Sequence, residues 1–373
     1  MSIRAGQVWL AALCAFSAIS FFAAAEVGAV VLAPGDILVS DQTVKGVLQV
    51  DPLTGDRTEV SSPTVGAGPL FVKPGGLAIE SSGHIVIVDE GLVAVLRVDP
   101  ATGDRTVVSS STVGTGLMFS KPKVLVLEST GDILVGDDAP TTRGVYRVNS
   151  TTGDRTVVSS ASVGTGPSFG KLRGITIEAS GAILVVDDGL KAVLRVDPIT
   201  GDRTVVSSAT VGTGTAFSKL DAITLNASGD ILALDSGLLG VHRVDPTSGD
   251  RTIVSSPVVG TGPSFARPRV IAVESDGNIL VADELLLAVV RVDPISGDRT
   301  IASDPTVGIG TNFGKPRGII VVPTPAGVCG DGTLDTGEDC DDGNTVPGDC
   351  CSATCTFETG GSACEDGDVC TTG

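Results

Sequence analysis

Apolar residues in the middle of the chain come in short runs separated by polar turns, and no window shows helical spacing. Residues 76–110 display the pattern. Gly76-Leu-Ala-Ile-Glu80 is a short apolar run and Ser81-Ser-Gly83 a turn. Ile85-Val-Ile-Val-Asp89 is a continuous β-branched run, as expected of a strand buried on both faces. After the Glu90-Gly91 turn, Ala94-Val-Leu-Arg-Val98 is a third strand, apolar except for Arg97. Asp99-Pro-Ala-Thr-Gly-Asp104 is a tight turn in which Pro100 presets φ and Gly103 supplies φ > 0. Arg105-Thr-Val-Val-Ser-Ser110 is a fourth, more polar and therefore outermost strand, and a Gly-rich connection, Ser111 to Pro122, leads into the next unit.

The unit recurs. Gly-Asp-Arg-Thr begins at Gly55, Gly103, Gly153, Gly201, Gly249 and Gly297, at spacings of 48, 50, 48, 48 and 48 residues. Repeats of this length point to solenoids, propellers or arrays, and four strands per unit with one longer link describe a β-propeller blade. Circular closure leaves only short protected edges, and each unit buries its apolar faces against its neighbours. Second-strand runs begin near Asp36, His84, Asp132, Ala182, Asp230 and Asn278, which predicts six blades. Innermost strands are expected at Leu77–Ile79, Val124–Leu127, Ile175–Ile177, Ile223–Leu225, Ile271–Val273 and Ile319–Val322. The last has no strands of its own after it, while Ala29-Val-Val-Leu32 occupies the same phase before the first copy. Either Gly318–Val322 becomes the inner strand of the first blade, or residues 29–32 hold that place. The first closure is favoured, because it ties the two ends of the ring together. The expected fold class is all-β: a six-bladed β-propeller over residues 26–325, followed by a small disulfide-rich module over residues 326–373.

Composition narrows the function. Of 373 residues, 42% are apolar and 3% aromatic, with two histidines and a formal net charge of −19. A histidine-rich metal site is excluded, aromatic stacking platforms are poorly provided for, and the charge repels phosphate backbones, so no nucleic-acid partner is expected. Residues 1–25 read as a signal peptide: Arg4 is the only charge, an apolar run follows from Val8 to Ala25, and Ala23-Ala24-Ala25 precede Glu26. The competing reading is an uncleaved anchor, but the run is barely long enough for a ~30 Å hydrocarbon core and no second span follows. Lipoprotein processing at Cys14 is rejected, because Leu13 is a poor preceding residue and the apolar stretch continues beyond it. Export places the mature chain, secreted or on the cell surface, in an oxidising space where cysteines pair.

Arg267-Pro-Arg-Val-Ile-Ala-Val-Glu-Ser-Asp-Gly-Asn-Ile-Leu-Val-Ala-Asp283 and Lys315-Pro-Arg-Gly-Ile-Ile320 are similar to the NHL pattern, Pro-x-Gly-Ile-Ala-Val-Asp, a Gly-Asn turn and an apolar strand ending in Ala-Asp. On these residues, the stretch 29–323 resembles the NHL and gluconolactonase-like propellers. The resemblance implies six blades, a binding scaffold in many members and an enzyme in others; the motif is specific for fold and weak for function.

Two rings of charge are then expected around the mouth of the central channel. A base precedes each inner strand: Lys73, Lys121, Lys171, Lys219, Arg267 and Lys315. An acid ends each second strand: Asp41, Asp89, Asp137, Asp187, Asp235 and Asp283. One reading is an anion-attracting mouth reinforced by Lys123, Arg173, Arg269 and Arg317. The favoured reading pairs each base with a neighbouring acid and gives it a packing role, since features present in every blade are usually structural. Departures from the repeat therefore matter more. Asp221 replaces the basic or glycine residue of the other blades, Asn226 replaces the Glu of Glu80, Glu128, Glu178 and Glu274, the loop 137–143 carries a two-residue insertion, and Tyr146 and His242 stand in third strands away from the axis. The ligand-face candidates are the six bases with Asp221 and Asn226. The gluconolactonase-like resemblance implies an axial divalent cation with Glu, Asn and Asp ligands; Asn226, Asp221 and the Glu series are the available donors, but no cluster stands out. Gly164-Thr-Gly-Pro-Ser-Phe-Gly-Lys171 fails the spacing of a phosphate loop and recurs in each blade. It is better read as a link across a crowded junction, with Phe71, Phe119, Phe169, Phe217, Phe265 and Phe313 plugging the gaps. Asn149 and Asn226 fit glycosylation sequons of a kind frequent by chance.

The last 45 residues differ in kind. Cys329, Cys340, Cys350, Cys351, Cys355, Cys364 and Cys370 crowd a segment, 324–373, that carries eleven acids and no base. It has too few apolar residues for a core, so cross-links must replace one. The run Cys329-Gly-Asp-Gly-Thr-Leu-Asp-Thr-Gly-Glu-Asp-Cys-Asp-Asp-Gly-Asn344, with Gly348-Asp-Cys-Cys-Ser-Ala-Thr-Cys355, closely resembles the disulfide-rich repeat of secreted proteins from myxobacteria and their relatives. The resemblance implies disulfides among Cys329, Cys340, Cys351, Cys355, Cys364 and Cys370; Cys350 stands where that repeat has glycine, and Cys364 and Cys370 read as the start of a further unit. Zinc at Cys350, Cys351 and Cys355 has the wrong spacing. Asp335, Asp339, Asp341 and Asp342 are dense enough in hard oxygen donors to suggest Ca²⁺, against the alternative of a solvated acidic face; no other cofactor is expected. Two functions remain: an exported, monomeric scaffold that binds a protein or small-molecule ligand at the channel face and is attached by its disulfide module, and, as the alternative, a metal-dependent hydrolase or lactonase. The binding module is the preferred reading.

Overall fold

The continuous β-branched runs form the second strand of each sheet, and in all six every residue is buried. Third strands are buried but for one half-buried polar position, and fourth strands expose a threonine at their second residue, so polarity rises outward as predicted. The computed structural model describes residues 30–323. Residues 1–25, read above as a signal peptide, the cysteines and the calcium candidates Asp335, Asp339, Asp341 and Asp342 lie outside the described residues. Strands are numbered β1–β24 in chain order and make six four-stranded antiparallel sheets, a six-bladed β-propeller. Among the described residues no helix is long and apolar enough to cross a membrane.

Closure follows the favoured route. The C-terminal strand β24 (Pro316–Val321) pairs with β1 (Ile37–Asp41), which continues through β2 (Gly46–Val50) to β3 (Arg57–Ser61). Val30 packs beside Val322 instead of replacing the strand, and Val322 N donates to Asp36 O at 2.7 Å. Six apolar clusters hold the ring, one at each junction; at the closing junction Ile37, Val39 and Leu48 meet Leu280, Ala282 and Val289. No blade encloses a core of its own, which is why the repeat must close on itself.

The Gly-Asp-Arg-Thr signature explains the periphery. Arg105 is 3% exposed and reaches back into the link from the previous blade. Its Nη1 donates to Ser61 Oγ at 2.6 Å, Val65 O at 2.8 Å and Ser62 O at 3.0 Å, its Nε to Pro69 O at 2.7 Å, and the guanidinium lies 5.6 Å from the centre of the Phe71 ring. Gly103 adopts φ +75°, and a Cβ there would meet Val60 O at 2.6 Å, so the turn needs glycine for both conformation and space. Asp104 accepts Ala67 N at 2.6 Å. The six predicted phenylalanine plugs are all buried. In the first blade Arg57 performs the same clasp on the segment before β24, taking Ser303 Oγ at 2.6 Å, Asp304 O at 2.8 Å and Thr311 O at 2.9 Å.

Candidate functional site

The inner strands begin with a shared irregularity. In β8 (Pro122–Leu127), β12 (Leu172–Ile177), β16 (Leu220–Leu225), β20 (Pro268–Val273) and β24, one residue is left over between the first two paired positions. The skipped residues are Lys123, Arg173, Asp221, Arg269 and Arg317; in β4 (Pro74–Ile79) the break spans Gly75 and Gly76. A bulge re-aims the side chain of its extra residue. All six positions face one cavity of about 290 Å³ where the inner strands converge. The ring reads Gly75, Lys123, Arg173, Asp221, Arg269, Arg317 around the axis.

Carboxylates stand behind this ring, each one residue beyond the acid that ends a second strand. Lys123 Nζ meets Asp138 Oδ2 at 2.7 Å, Arg269 Nε meets Glu284 Oε2 at 2.7 Å, and Arg317 Nη2 meets the same Glu284 oxygen at 3.1 Å. Burial lowers the Lys123 and Arg317 pKa values, with Asp138 and Glu284 respectively opposing it. Burial disfavours the charge on Glu284, yet the hydrogen bond from Arg269 and the nearby Arg317 and Arg267 outweigh it and hold the pKa below the ordinary value. Asp221 accepts from Ser236 Oγ and lies 3.6 Å from Arg269 Nη1. Blade five thus inverts the arrangement, with the acid in front and a neutral Ser236 behind.

The two rings foreseen from the sequence behave differently from their expected pairing. Asp41, Asp89, Asp137, Asp187, Asp235 and Asp283 are all 0% exposed and face backbone amides, not ammonium groups. Asp89 accepts Val72 N at 2.8 Å, Lys73 N at 3.0 Å, Gly91 N at 2.8 Å and Leu92 N at 2.9 Å. Asp41 fastens Gly314 N and Lys315 N across the closing junction, at 2.7 and 2.8 Å. Of the rim bases, Lys73 pairs with Glu90, Lys171 with Asp188 and Arg267 with Glu284, at 3.7, 3.1 and 3.3 Å; Lys121, Lys219 and Lys315 make no ion pair among the described residues. Only Lys73 of the six lines the cavity.

Asn226 is placed apart from Asp221. It follows the far end of β16, about 16 Å along the strand, and its Oδ1 accepts Asp230 N and Ser228 Oγ, both at 2.8 Å, in the hairpin to the next strand. The ligand-face reading of Asn226 is therefore corrected: its departure from the repeat is a local turn. The Glu series lies at the same end, where Glu80, Glu128, Glu178 and Glu274 each bind a third-strand arginine through both carboxylate oxygens. Among the described residues no three His, Cys, Asp or Glu side chains gather as metal donors. The axial cation implied by the gluconolactonase-like resemblance does not fit this donor set: the cavity presents one bulge carboxylate, already beside Arg269, among four bulge cations. What sequence reasoning missed was the bulge. The leftover residue after each Pro or Leu has no signature until strand pairing is known.

No family model and no curated protein matches the chain. Solved structures do. A chain of a nidogen/laminin complex is 12% identical with a TM-score of 0.57, covering 77% of this chain and 97% of that one. Virginiamycin B lyase from Staphylococcus aureus is 17% identical with a TM-score of 0.52, covering 74% and 84%. A gluconolactonase from Xanthomonas campestris is 14% identical with a TM-score of 0.50, covering 66% and 79%. At such identities the likeness is one of fold alone, and with the sheet order it makes the chain a six-bladed β-propeller.

Proposed function

We propose that the chain is an exported propeller scaffold that holds a small ligand in its central cavity and is attached by its cysteine-rich segment. One observation carries this reading: the residues that face the cavity from the bulges change in charge from blade to blade, while the acids that end the second strands, the Gly-Asp-Arg-Thr arginines and the Glu80 series join strands and blades. A site is expected to break symmetry, because a small ligand has none to match. Residues 1–25 and the cysteine-rich tail support export and attachment; the amino terminus of the secreted protein is expected at Glu26. The second reading, a metal-dependent lactonase, draws on the gluconolactonase neighbour but lacks the donors such a metal requires. A thermal-shift screen of neutral, cationic and anionic small molecules tests the proposal on the wild type and an Arg317→Ala/Asp221→Ala double variant. Hits that stabilise the wild type alone support it. Equal shifts in both proteins, or lactone hydrolysis that chelators abolish, overturn it.

A further inference from the structure

Four cations share the bulge ring, but they are not equally satisfied. Lys123, Arg269 and Arg317 each have a carboxylate within 3.1 Å. Arg173 does not: its nearest carboxylate is Asp138 Oδ2, 4.0 Å from Nη1, and its Nε is buried without a hydrogen-bond partner among the described residues. The reason lies within its own blade. Asp188 occupies the position from which Asp138 serves Lys123 and Glu284 serves Arg269, but Asp188 is held by Lys171 at 3.1 Å and by Lys191. Those two lysines leave Arg173 facing the cavity. The cavity lining as a whole carries Lys73, Lys123, Arg173, Arg269 and Arg317 against Glu90 and Asp221. A protein of formal net charge −19 therefore concentrates positive charge in its axial cavity. Low-dielectric walls focus that field, and a guanidinium fork suits a planar carboxylate held through two parallel hydrogen bonds.

We infer that the cavity captures the carboxylate of a small organic acid, with Arg173 as its anchor and Lys123 alongside. The inference rests on the cavity being the ligand site, and deepens that reading by naming the ligand's charged group. A cavity of about 290 Å³ has room for a small organic acid. The carboxylates of Asp138 and Glu284 behind the ring offset part of the positive charge, which suits a single negative charge better than a phosphate dianion.

Calorimetric titration at low ionic strength with acetate, lactate, succinate and inorganic phosphate, and with glycerol as neutral probe, tests it. The monocarboxylates are expected to bind the wild type, and Arg173→Gln to weaken them roughly tenfold to a hundredfold, the range of a lost charge-assisted pair. Arg173→Lys, which keeps the charge without the fork, should recover part of the loss, while Lys219→Ala on the rim should change nothing. Phosphate binding with no carboxylate binding overturns the carboxylate assignment. Anion binding unaffected by Arg173→Gln overturns the anchor. If no anion binds but a neutral molecule from the thermal-shift screen does, this inference fails and the scaffold reading stands.

Discussion

Arg173 and Arg203 belong to the same blade and have opposite fates. Arg203 lies in β15 (Arg203–Ser207), is 4% exposed, and donates to Ser159 Oγ at 2.6 Å, Pro167 O at 2.6 Å and Ser160 O at 2.9 Å. Arg173 stands at the axis with a buried Nε that has no hydrogen-bond partner among the described residues. The first recurs in all six blades because every junction poses the same packing problem. The second position carries arginine in three blades and glycine, lysine or aspartate in the other three, because nothing in the packing requires one residue there. Repetition marks what the ring needs in order to close, and variation at a bulge marks what it is free to use.

Breaking the periphery should cost most. Removing an Arg clasp leaves several buried acceptors without a donor, and Arg57→Ala should lower unfolding free energy by about 3 kcal/mol or more. Urea titration measures it, and the closing junction makes Arg57 the most severe case. The acid fasteners come next. Asp187→Ala strands Gly170 N, Lys171 N, Gly189 N and Leu190 N, for an expected loss of about 2–3 kcal/mol.

A smaller effect separates blade five from its neighbours. His242 is fully buried against Phe217, with no hydrogen-bond partner for either ring nitrogen among the described residues, where the second and fourth blades have Leu96 and Leu194. Burial lowers its pKa from 6.5; Asp235 opposes the shift and Arg251 adds to it. The folded imidazole thus stays neutral at pH values where the unfolded one takes a proton. Its contribution to stability is intact above pH 6.5 and declines as pH falls from there toward the folded pKa. Urea midpoints should fall between pH 7.5 and 5.5, with a shallower fall in His242→Leu; an unchanged slope in that variant would remove His242 from the explanation.

The fold was legible because it rests on periods: short apolar runs between turns, the in-phase glycines and the orphan run at Ile319–Val322 are local signals. Counting left two candidates for the closing strand, and the advantage of tying the two ends together favoured the one that closes the ring. The charges were harder. Asp89 and Lys73 are neighbours as predicted, but it is the lysine's backbone that meets the carboxylate, and a residue list cannot say which of its atoms faces inward. The Arg105 clasp joins groups about forty residues apart through carbonyls, which carry no sequence mark. Lys123, Arg173, Arg269 and Arg317 were visible as an added basic set, whereas their common origin in a bulge depends on register. Asn226 misled for the converse reason: a departure from a repeat is informative only when the end of the strand on which it falls is known.

One substitution made at two places in one blade tests the separation of scaffold from site. Equilibrium urea unfolding of Arg173→Gln should give a stability within about 0.5 kcal/mol of wild type, as for a residue the packing does not need, whereas Arg203→Gln should lose about 3 kcal/mol. Comparable losses at both positions would show that the axial ring is part of the fabric of the ring, and would contradict the assignment of the cavity as its functional face.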